Sequence, residues 1–190
     1  MCGIVGYIGP RQAPHVVLQG LKRLEYRGYD SAGIAALNGN GNIDIRRDVG
    51  KLSNLEALLS SSPLAGHSAI GHTRWATHGA PTQRNAHPHL SMNGSVVVVH
   101  NGIVENFKEL REELAAEGVV FQSDTDTEVI VQLAERYMAG GLVLEEAARL
   151  TLGHLRGANA VVMMAASQPD RLVCARMGNA GGLTLGIGEG

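Results

Sequence analysis

The sequence predicts an α+β fold built on largely antiparallel sheets. Strand-like segments dominate both ends of the chain with helical patterns between them, and hairpins are more evident than β-α-β alternation. A chain of 190 residues, 44% hydrophobic and 18% charged, is long and apolar enough to bury the core of one domain.

The first half of the chain alternates strands and helices. Segment 2–9, CGIVGYIG, has the pattern of a strand and ends at a Gly-Pro pair. A helix is predicted over 14–26, because Val17, Leu21 and Leu24 recur on one helical face. The other predicted elements of this half are strands at 31–37 and 43–49 joined by the turn NGNGN, a helix at 51–61 and a strand at 68–76.

The second half begins with a long polar stretch over 77–94, which contains two prolines and shows no period. A loop of this length in a compact domain is usually functional or disordered. The elements predicted after it are a strand at 95–100, helices at 106–118, 125–141 and 143–157, and strands at 159–167 and 170–177.

Charge and cysteine content narrow the class of protein. A formal net charge of −2 gives no basic surplus, so neither nucleic acid nor a membrane is expected as a partner. The longest apolar runs are too short to span a bilayer, and the chain does not begin with a signal-peptide pattern. Two cysteines do not make a disulfide framework. We therefore expect a cytoplasmic protein that acts on small molecules.

Cys2 follows the initiator methionine and opens the first predicted strand. A buried thiol that packs as a small apolar group is the simplest interpretation, and it is the one expected for Cys174. Removal of Met1, which a small second residue permits, would leave Cys2 with both a thiol and a free α-amine. Such an amine has an ordinary pKa of about 7.7–8 and can accept the thiol proton, directly or through one water.

The segment GHTRWATHG places Arg74, Trp75, Thr77 and His78 at a strand end, just before the long loop. An arginine can hold a carboxylate through two parallel hydrogen bonds, which suits an amino-acid substrate. Taken alone, the same pattern also fits a surface arginine beside a core tryptophan.

Asn101 and Gly102 follow an apolar run, a pattern that most often marks a tight hairpin turn. A helical pattern comes next and not a returning strand, so a plain hairpin is disfavoured. The alternative is an oxyanion hole, in which the Asn101 side-chain amide and the Gly102 main-chain N–H face a developing negative charge.

The segment SDTDTEVI precedes a helical pattern. Ser123 or Thr125 could cap that helix, with Asp126 and Glu128 in the first turn, where acidic side chains interact favourably with the helix dipole. One of these carboxylates could instead hold the α-ammonium group of an amino acid and so complement Arg74.

A metal site is the competing interpretation of the histidines around the long loop. Within eighteen residues the chain carries His72, His78, His87 and His89. No HExxH motif or cysteine cluster accompanies them, and the glycine-rich GIGEG lacks the full dinucleotide-binding spacing. No metal and no cofactor are therefore expected, although a non-catalytic metal- or ligand-binding module remains the alternative.

Taken together, these stretches resemble the glutaminase domain of the glutamine–fructose-6-phosphate aminotransferase family, also called glucosamine-6-phosphate synthases. The motifs that carry the resemblance occur in the family's order: CGIVGYIG, LKRLEYRGYDSAGIA, GHTRWATHG, NAHPH, VVVHNGIVEN and SDTDTEVI. An N-terminal Cys-Gly-Ile alone would indicate only a class II glutamine amidotransferase. EYRGYDSAG together with HTRWATHG narrows the resemblance to this member.

The resemblance implies an N-terminal-nucleophile hydrolase fold, a four-layer αββα sandwich of two mainly antiparallel sheets. It implies that Cys2 becomes the first residue and attacks the side-chain amide of L-glutamine, while Arg74 and Asp126 hold the substrate's carboxylate and ammonium groups. By the same resemblance the catalytic residues are Cys2, Asn101 and Gly102, and the substrate-binding residues are Arg74, Trp75, Thr77, His78, Gly102 and Asp126.

The resemblance also bears on domain organisation. It implies that residues 2–190 form one class II amidotransferase domain, truncated at its C-terminus and lacking the sugar isomerase domains of a full-length, homodimeric protein. That isomerase part would use the ammonia to make glucosamine 6-phosphate from fructose 6-phosphate. The glutaminase domain of another class II amidotransferase, as in purine or asparagine biosynthesis, is the alternative.

Overall fold

The computed structural model describes residues 2–28, 30–75 and 80–188. Two four-stranded sheets lie face to face, and helices cover the outer face of each sheet. Every strand pair within the sheets is antiparallel. This arrangement confirms the expected α+β class and the four-layer αββα sandwich.

The first sheet comes from the first half of the chain. Its strands are β1 (Gly3–Ile8), β2 (Ser31–Leu37), β3 (Ile43–Val49) and β4 (Ser68–Arg74). Their order in space is β1-β4-β2-β3. The helices that cover this sheet are α1 (Ala13–Leu24) and α2 (Leu52–Ser61).

The second sheet comes from the second half. Its strands are β5 (His89–Leu90), β6 (Val96–Gly102), β7 (Asn159–Ala165) and β8 (Val173–Met177), in that spatial order. The helices over it are α3 (Phe107–Ala116), α4 (Glu128–Ala139) and α5 (Leu144–His154). In the described part of the chain, no helix has the length and apolar character that a membrane crossing requires.

The apolar run of β6 shows why the two sheets stack. Successive side chains of a strand point to opposite faces. Val97 and Val99 therefore enter the core between the sheets, whereas Val96 and Val98 enter the core under the helices. All four are fully buried, as expected for a strand covered on both sides. This strand carries the next residues along the chain to the open end of the sandwich.

Besides shifts of a few residues at the ends of elements, the structure departs from the sequence predictions at β5 and at the start of α4. The short strand β5 lies inside the stretch predicted to be a loop, because two residues are too few to show a period. The N-cap residue of α4 is Thr127, so the predicted caps Ser123 and Thr125 are wrong. Their hydroxyl groups instead lie 2.9 Å apart, and the Ser123 hydroxyl donates to Glu128 at 2.6 Å.

Candidate active site

Cys2 lies where the two sheets open toward solvent. The start of β1 meets the end of β4 there, since Gly3 pairs with Thr73, and the end of β6 approaches from the other sheet. The cleft at this end has a volume of about 1570 Å³. Its lining includes Cys2, Arg74, Asn101 and Asp126, so the structure brings these predicted site residues to one place.

The Cys2 thiol is fixed by main-chain contacts. The Trp75 N–H donates to the Cys2 sulfur at 3.3 Å, and the thiol lies 3.7 Å from the Trp75 carbonyl oxygen. The side-chain amide of Asn101 donates to the Cys2 carbonyl oxygen at 3.3 Å. The next residue is anchored too, because the Gly3 N–H donates to the Thr73 hydroxyl at 3.2 Å. The thiol is therefore held by contacts with the main chain just after β4, and the Cys2 carbonyl oxygen by the end of β6.

The electrostatic environment keeps this thiol protonated. Burial raises the pKa of Cys2 above its ordinary value, because a desolvated thiolate is disfavoured. The hydrogen bond from Trp75 and the charge of Arg74 lower the pKa, whereas the charge of Asp30 raises it further, and the net shift is upward. A reaction that uses the thiolate at neutral pH thus needs a nearby base for its proton.

Arg74 is the last residue of β4 and is 4% exposed. Burial lowers the pKa of its guanidinium, and the charges of Asp30, Cys2 and Asp126 act in the opposite direction. A guanidinium that lies among these groups and is shielded from water is suited to bind a carboxylate through two hydrogen bonds.

Of the two carboxylates that the sequence left open, Asp126 lines the cleft. It is 5% exposed, and one of its oxygens accepts a hydrogen bond from the Val104 N–H at 2.8 Å. Glu128 instead organises the preceding loop, because it accepts the N–H groups of Gln122 and Ser123 at 2.7 Å each. Of these two acids, Asp126 is therefore the one that lines the cleft.

Asn101 and Gly102 end β6, and the chain continues to α3 without a hairpin, as predicted. Gly102 has a φ of +147°, and a Cβ built on it would lie 2.2 Å from the Ala158 carbonyl oxygen. Only glycine fits this position. Gly102, Asn101 and Cys2 all line the cleft.

Three further residues were predicted to bind the substrate, and the structure describes one of them, Trp75. Trp75 borders the cleft and is 48% exposed. Thr77 and His78 lie outside the described residues, so their placement in the site stays a prediction. The sequence interpretation did not single out Asp30 or His100. The charge of Asp30 acts on the pKa of Cys2, and His100 lines the cleft. A histidine at the end of an apolar run was the signal available for His100.

Three of the four histidines weighed as metal ligands, His72, His87 and His89, are buried, and the fourth, His78, lies outside the described residues. The ring centroids of His72 and His87 lie 4.2 Å apart, and those of His87 and His89 lie 4.8 Å apart. Burial lowers the pKa of all three, that of His72 to about 3. Within residues 2–28, 30–75 and 80–188, no three His, Cys, Asp or Glu side chains form a group that could hold a metal ion.

The chain matches a known protein family. The family model of a glutamine amidotransferase domain matches residues 72–181. Glutamine–fructose-6-phosphate aminotransferases of Pseudomonas putida and Pyrococcus horikoshii are each 53% identical over the whole chain, and that of Streptomyces coelicolor is 55% identical. The chain spans 31% of the length of these curated relatives.

Solved structures agree with the sequence relatives. The glutamine phosphoribosylpyrophosphate amidotransferase of B. subtilis aligns with 87% of this chain and 35% of its own, at a TM-score of 0.73 and 30% identity. An allosteric regulatory enzyme of purine biosynthesis aligns with 87% of this chain and 36% of its own, at a TM-score of 0.75 and 31% identity. The expected N-terminal-nucleophile hydrolase fold is thereby confirmed, and the chain belongs to the glutamine amidotransferase domain family.

Proposed function

We propose that this chain hydrolyses the side-chain amide of L-glutamine to glutamate and ammonia, with Cys2 as the nucleophile. The observation that carries the proposal is the meeting of Cys2 and Asn101, whose side-chain amide lies 3.3 Å from the Cys2 carbonyl oxygen in the cleft. Membership of the glutamine amidotransferase domain family supports the choice of substrate.

Activation of the nucleophile rests on removal of Met1. Burial raises the pKa of the Cys2 thiol, so a base must take its proton at neutral pH. The α-amine that processing frees on the same residue has a suitable ordinary pKa of about 7.7–8. It accepts the thiol proton, directly or through one water, as the sulfur attacks the amide carbon.

The attack places a negative charge on the former carbonyl oxygen of glutamine. The side-chain N–H of Asn101 and the main-chain N–H of Gly102 donate hydrogen bonds to that oxygen in the proposed site. Support comes from the position of both residues at the end of β6 and from the steric requirement for glycine at position 102.

Substrate recognition uses the two ends of the amino-acid head group. Arg74 binds the α-carboxylate, and Asp126 binds the α-ammonium group. The low exposure of both side chains and their place in the cleft lining support these roles. Trp75 borders the bound substrate, and Thr77 and His78 complete the proposed contacts.

The remaining steps release ammonia and then glutamate, and they need no cofactor. The tetrahedral adduct collapses, its C–N bond breaks, and ammonia leaves with the proton that the α-amine held. A γ-glutamyl thioester on Cys2 remains. Water then attacks the thioester carbon, glutamate is released, and the sulfur recovers a proton.

For the whole protein we propose synthesis of glucosamine 6-phosphate from fructose 6-phosphate, with the ammonia used by an isomerase domain of the same chain. Support comes from 53% identity over the whole chain to a relative with that aminotransferase name, against 30% identity to the B. subtilis amidotransferase. A cytoplasmic homodimer, with no nucleic acid or membrane as partner, completes the proposal.

The test is glutamate release from L-glutamine by this chain, with intact mass recorded for every sample. Wild-type chain that lacks Met1 is expected to release glutamate, and Cys2→Ala is expected to lose that activity. Cys174→Ala is the matched control, because the second thiol lies on β8 and should be dispensable. Release that survives in Cys2→Ala, or silence from wild-type chain shown to lack Met1, would overturn the proposal.

A further inference from the structure

His100 immediately precedes Asn101 on β6, and its side chain is 2% exposed. Both ring nitrogens have a hydrogen-bond partner. Nδ1 lies 2.8 Å from the Thr127 hydroxyl oxygen, and Nε2 lies 2.9 Å from the side-chain oxygen of Asn159. The ring thus joins the second sheet to the N-terminus of α4, next to the proposed substrate-binding Asp126.

The partners fix which nitrogen carries the proton. The side-chain N–H of Asn159 donates to the Gly157 carbonyl oxygen at 3.1 Å, which leaves the Asn159 oxygen facing the ring. An amide oxygen only accepts, so His100 Nε2 carries the hydrogen and Nδ1 accepts from the Thr127 hydroxyl. In the neutral ring this is the Nε2–H tautomer, and burial, which lowers the pKa of His100, favours the neutral ring.

Burial and the neighbouring groups shift the pKa of the His100 ring. Burial lowers the pKa of His100, whereas the charge of Asp126 and the hydrogen bond to Asn159 raise it, and the net shift is downward. From β4, His72 approaches the His100 main chain, and its Nε2–H donates to the His100 carbonyl oxygen at 3.0 Å. Burial also keeps His72 neutral, since its pKa falls to about 3.

The same ring supports the main chain of Gly102. A Cβ on Gly102 would lie 2.9 Å from His100 Nε2, so the imidazole packs directly against this glycine. On its other side the ring holds Thr127, the neighbour of Asp126 in sequence. One side chain therefore contacts both the oxyanion-hole segment and the turn that presents the carboxylate.

We propose that the neutral His100 imidazole is a positioning residue, which sets the Gly102 N–H on one side and, through Thr127, the Asp126 carboxylate on the other. This inference rests on the proposed glutaminase function. It assigns His100 no proton transfer and no contact with glutamine. Its two ring nitrogens are expected to affect different kinetic parameters, because each nitrogen supports a different part of the site.

Thr127→Val removes the hydroxyl that bonds to Nδ1 and keeps the side-chain shape. We expect KM for glutamine to rise about fivefold with kcat little changed, the effect of one neutral hydrogen bond on the side that binds the ammonium group. His100→Asn keeps an acceptor near the position of Nδ1 but has no group in place of Nε2. For this variant we expect kcat to fall about tenfold with a smaller change in KM.

Thr151→Val is the matched control for the threonine variant. Thr151 is fully buried on α5, and its hydroxyl has no hydrogen-bond partner within the described residues. The same chemical change there should leave KM and kcat unchanged. The thermal midpoint of each variant is measured alongside, so that a kinetic change can be separated from a loss of fold.

Two measurements that need no turnover separate this inference from the proposed function. In the Cys2→Ala chain, the ¹⁵N chemical shifts of His100 should report the neutral Nε2–H tautomer from pH 5 to 8, and Thr127→Val should shift the Nδ1 signal. Calorimetry on the same background should show glutamine affinity about fivefold weaker with Thr127→Val.

The outcomes are distinct. If wild-type chain lacking Met1 releases no glutamate, the proposed function fails, and glutamine binding to the Cys2→Ala chain still decides the positioning role. The inference on His100 is overturned by an Nδ1–H tautomer, by titration of the ring near pH 6.5, or by unchanged glutamine affinity in Thr127→Val.

Discussion

The side-chain amide nitrogen of Asn101 lies 3.3 Å from the main-chain carbonyl oxygen of Cys2, although ninety-nine positions separate the two residues in sequence. Cys2 precedes β1 in the first sheet, and Asn101 lies on β6 in the second. The proposed nucleophile and the proposed oxyanion donor thus come from different sheets. Their alignment depends on the apolar layer between the sheets, to which Ile70 and Val99 contribute.

The first prediction concerns selective labelling of the two thiols. A glutamine-like electrophile, 6-diazo-5-oxonorleucine, should alkylate Cys2 and spare Cys174, because Cys2 contacts Trp75, the neighbour of Arg74, whereas Cys174 lies on β8 and packs against the core between the sheets. Peptide mass mapping identifies the labelled residue, and excess L-glutamine should protect it. Equal labelling of both thiols, or of neither, would contradict the assignment.

Gly102→Ala should destabilise the fold and abolish glutamine hydrolysis. The new Cβ would lie 2.2 Å from the Ala158 carbonyl oxygen, and a φ of +147° is strained for alanine. We expect the free energy of unfolding to fall by about 3 kcal/mol or more, as measured by urea denaturation.

Gly153→Ala is the control for that substitution. Gly153 lies in the last turn of α5, and a Cβ built there meets no atom within 4 Å. Alanine should raise the helix propensity and stabilise the chain by up to about 1 kcal/mol. Similar losses of stability at positions 102 and 153 would argue against the close approach of Gly102 to Ala158.

Asp126→Asn should weaken glutamine binding while the fold is retained. The asparagine oxygen can still accept the Val104 N–H, but the negative charge that would meet the α-ammonium group is lost. We expect KM to rise on the order of 10–100-fold, the range of a hydrogen bond to a charged group. Asp44→Asn, on β3, is the control and should leave KM unchanged. An unaltered KM in Asp126→Asn would remove this residue from the site.

Glu128→Gln should reduce stability, because the N–H groups of Gln122 and Ser123 donate to different oxygens of the carboxylate. A glutamine side chain keeps one acceptor oxygen, and its NH₂ group cannot accept the second N–H. We expect a loss of about 1–3 kcal/mol in the free energy of unfolding. Glu112→Gln, exposed on α3, should change it by no more than about 0.5 kcal/mol. Equal midpoints for the two variants in urea denaturation would show that Glu128 does not organise this loop.

Much of the fold could be predicted because each strand carries its own pattern. The apolar run at Val96–Val99 indicated a strand, and the missing return strand after Gly102 indicated that no hairpin follows. The short strand β5 could not be predicted, since it exists through its pairing with β6 and not through its own periodicity.

The site shows the same limit. Residue types and motif order identified Cys2, Arg74 and Asp126, which the structure brings to one cleft. Helix-capping and dipole arguments could not separate the roles of Asp126 and Glu128, because both suit the first turn of a helix, and only the family resemblance singled out Asp126. Only the three-dimensional contacts show that Glu128 binds loop N–H groups, and that His100 lies against Gly102.

The last prediction concerns acid and the buried imidazoles. The pKa of each of four histidines is lowered, chiefly by burial: His72, His87, His89 and His100. In the unfolded chain these rings bind protons near pH 6.5, whereas in the folded chain they stay neutral to lower pH. Below pH 6.5 the unfolded state therefore binds more protons, and the free energy of unfolding falls as the pH falls.

Urea denaturation at pH 7.5, 6.5 and 5.5 checks this dependence. Each ring should contribute up to about 1.4 kcal/mol per pH unit once the pH is well below 6.5, and the contribution of His72 should persist toward its folded pKa of about 3. His87→Gln removes one such ring and should reduce the slope, whereas His15→Gln, exposed on α1, should not. Because the loss arises from protons taken up by the unfolded state, a pH-independent stability between pH 7.5 and 5.5 would mean that the folded protein accommodates charged imidazoles at these sites.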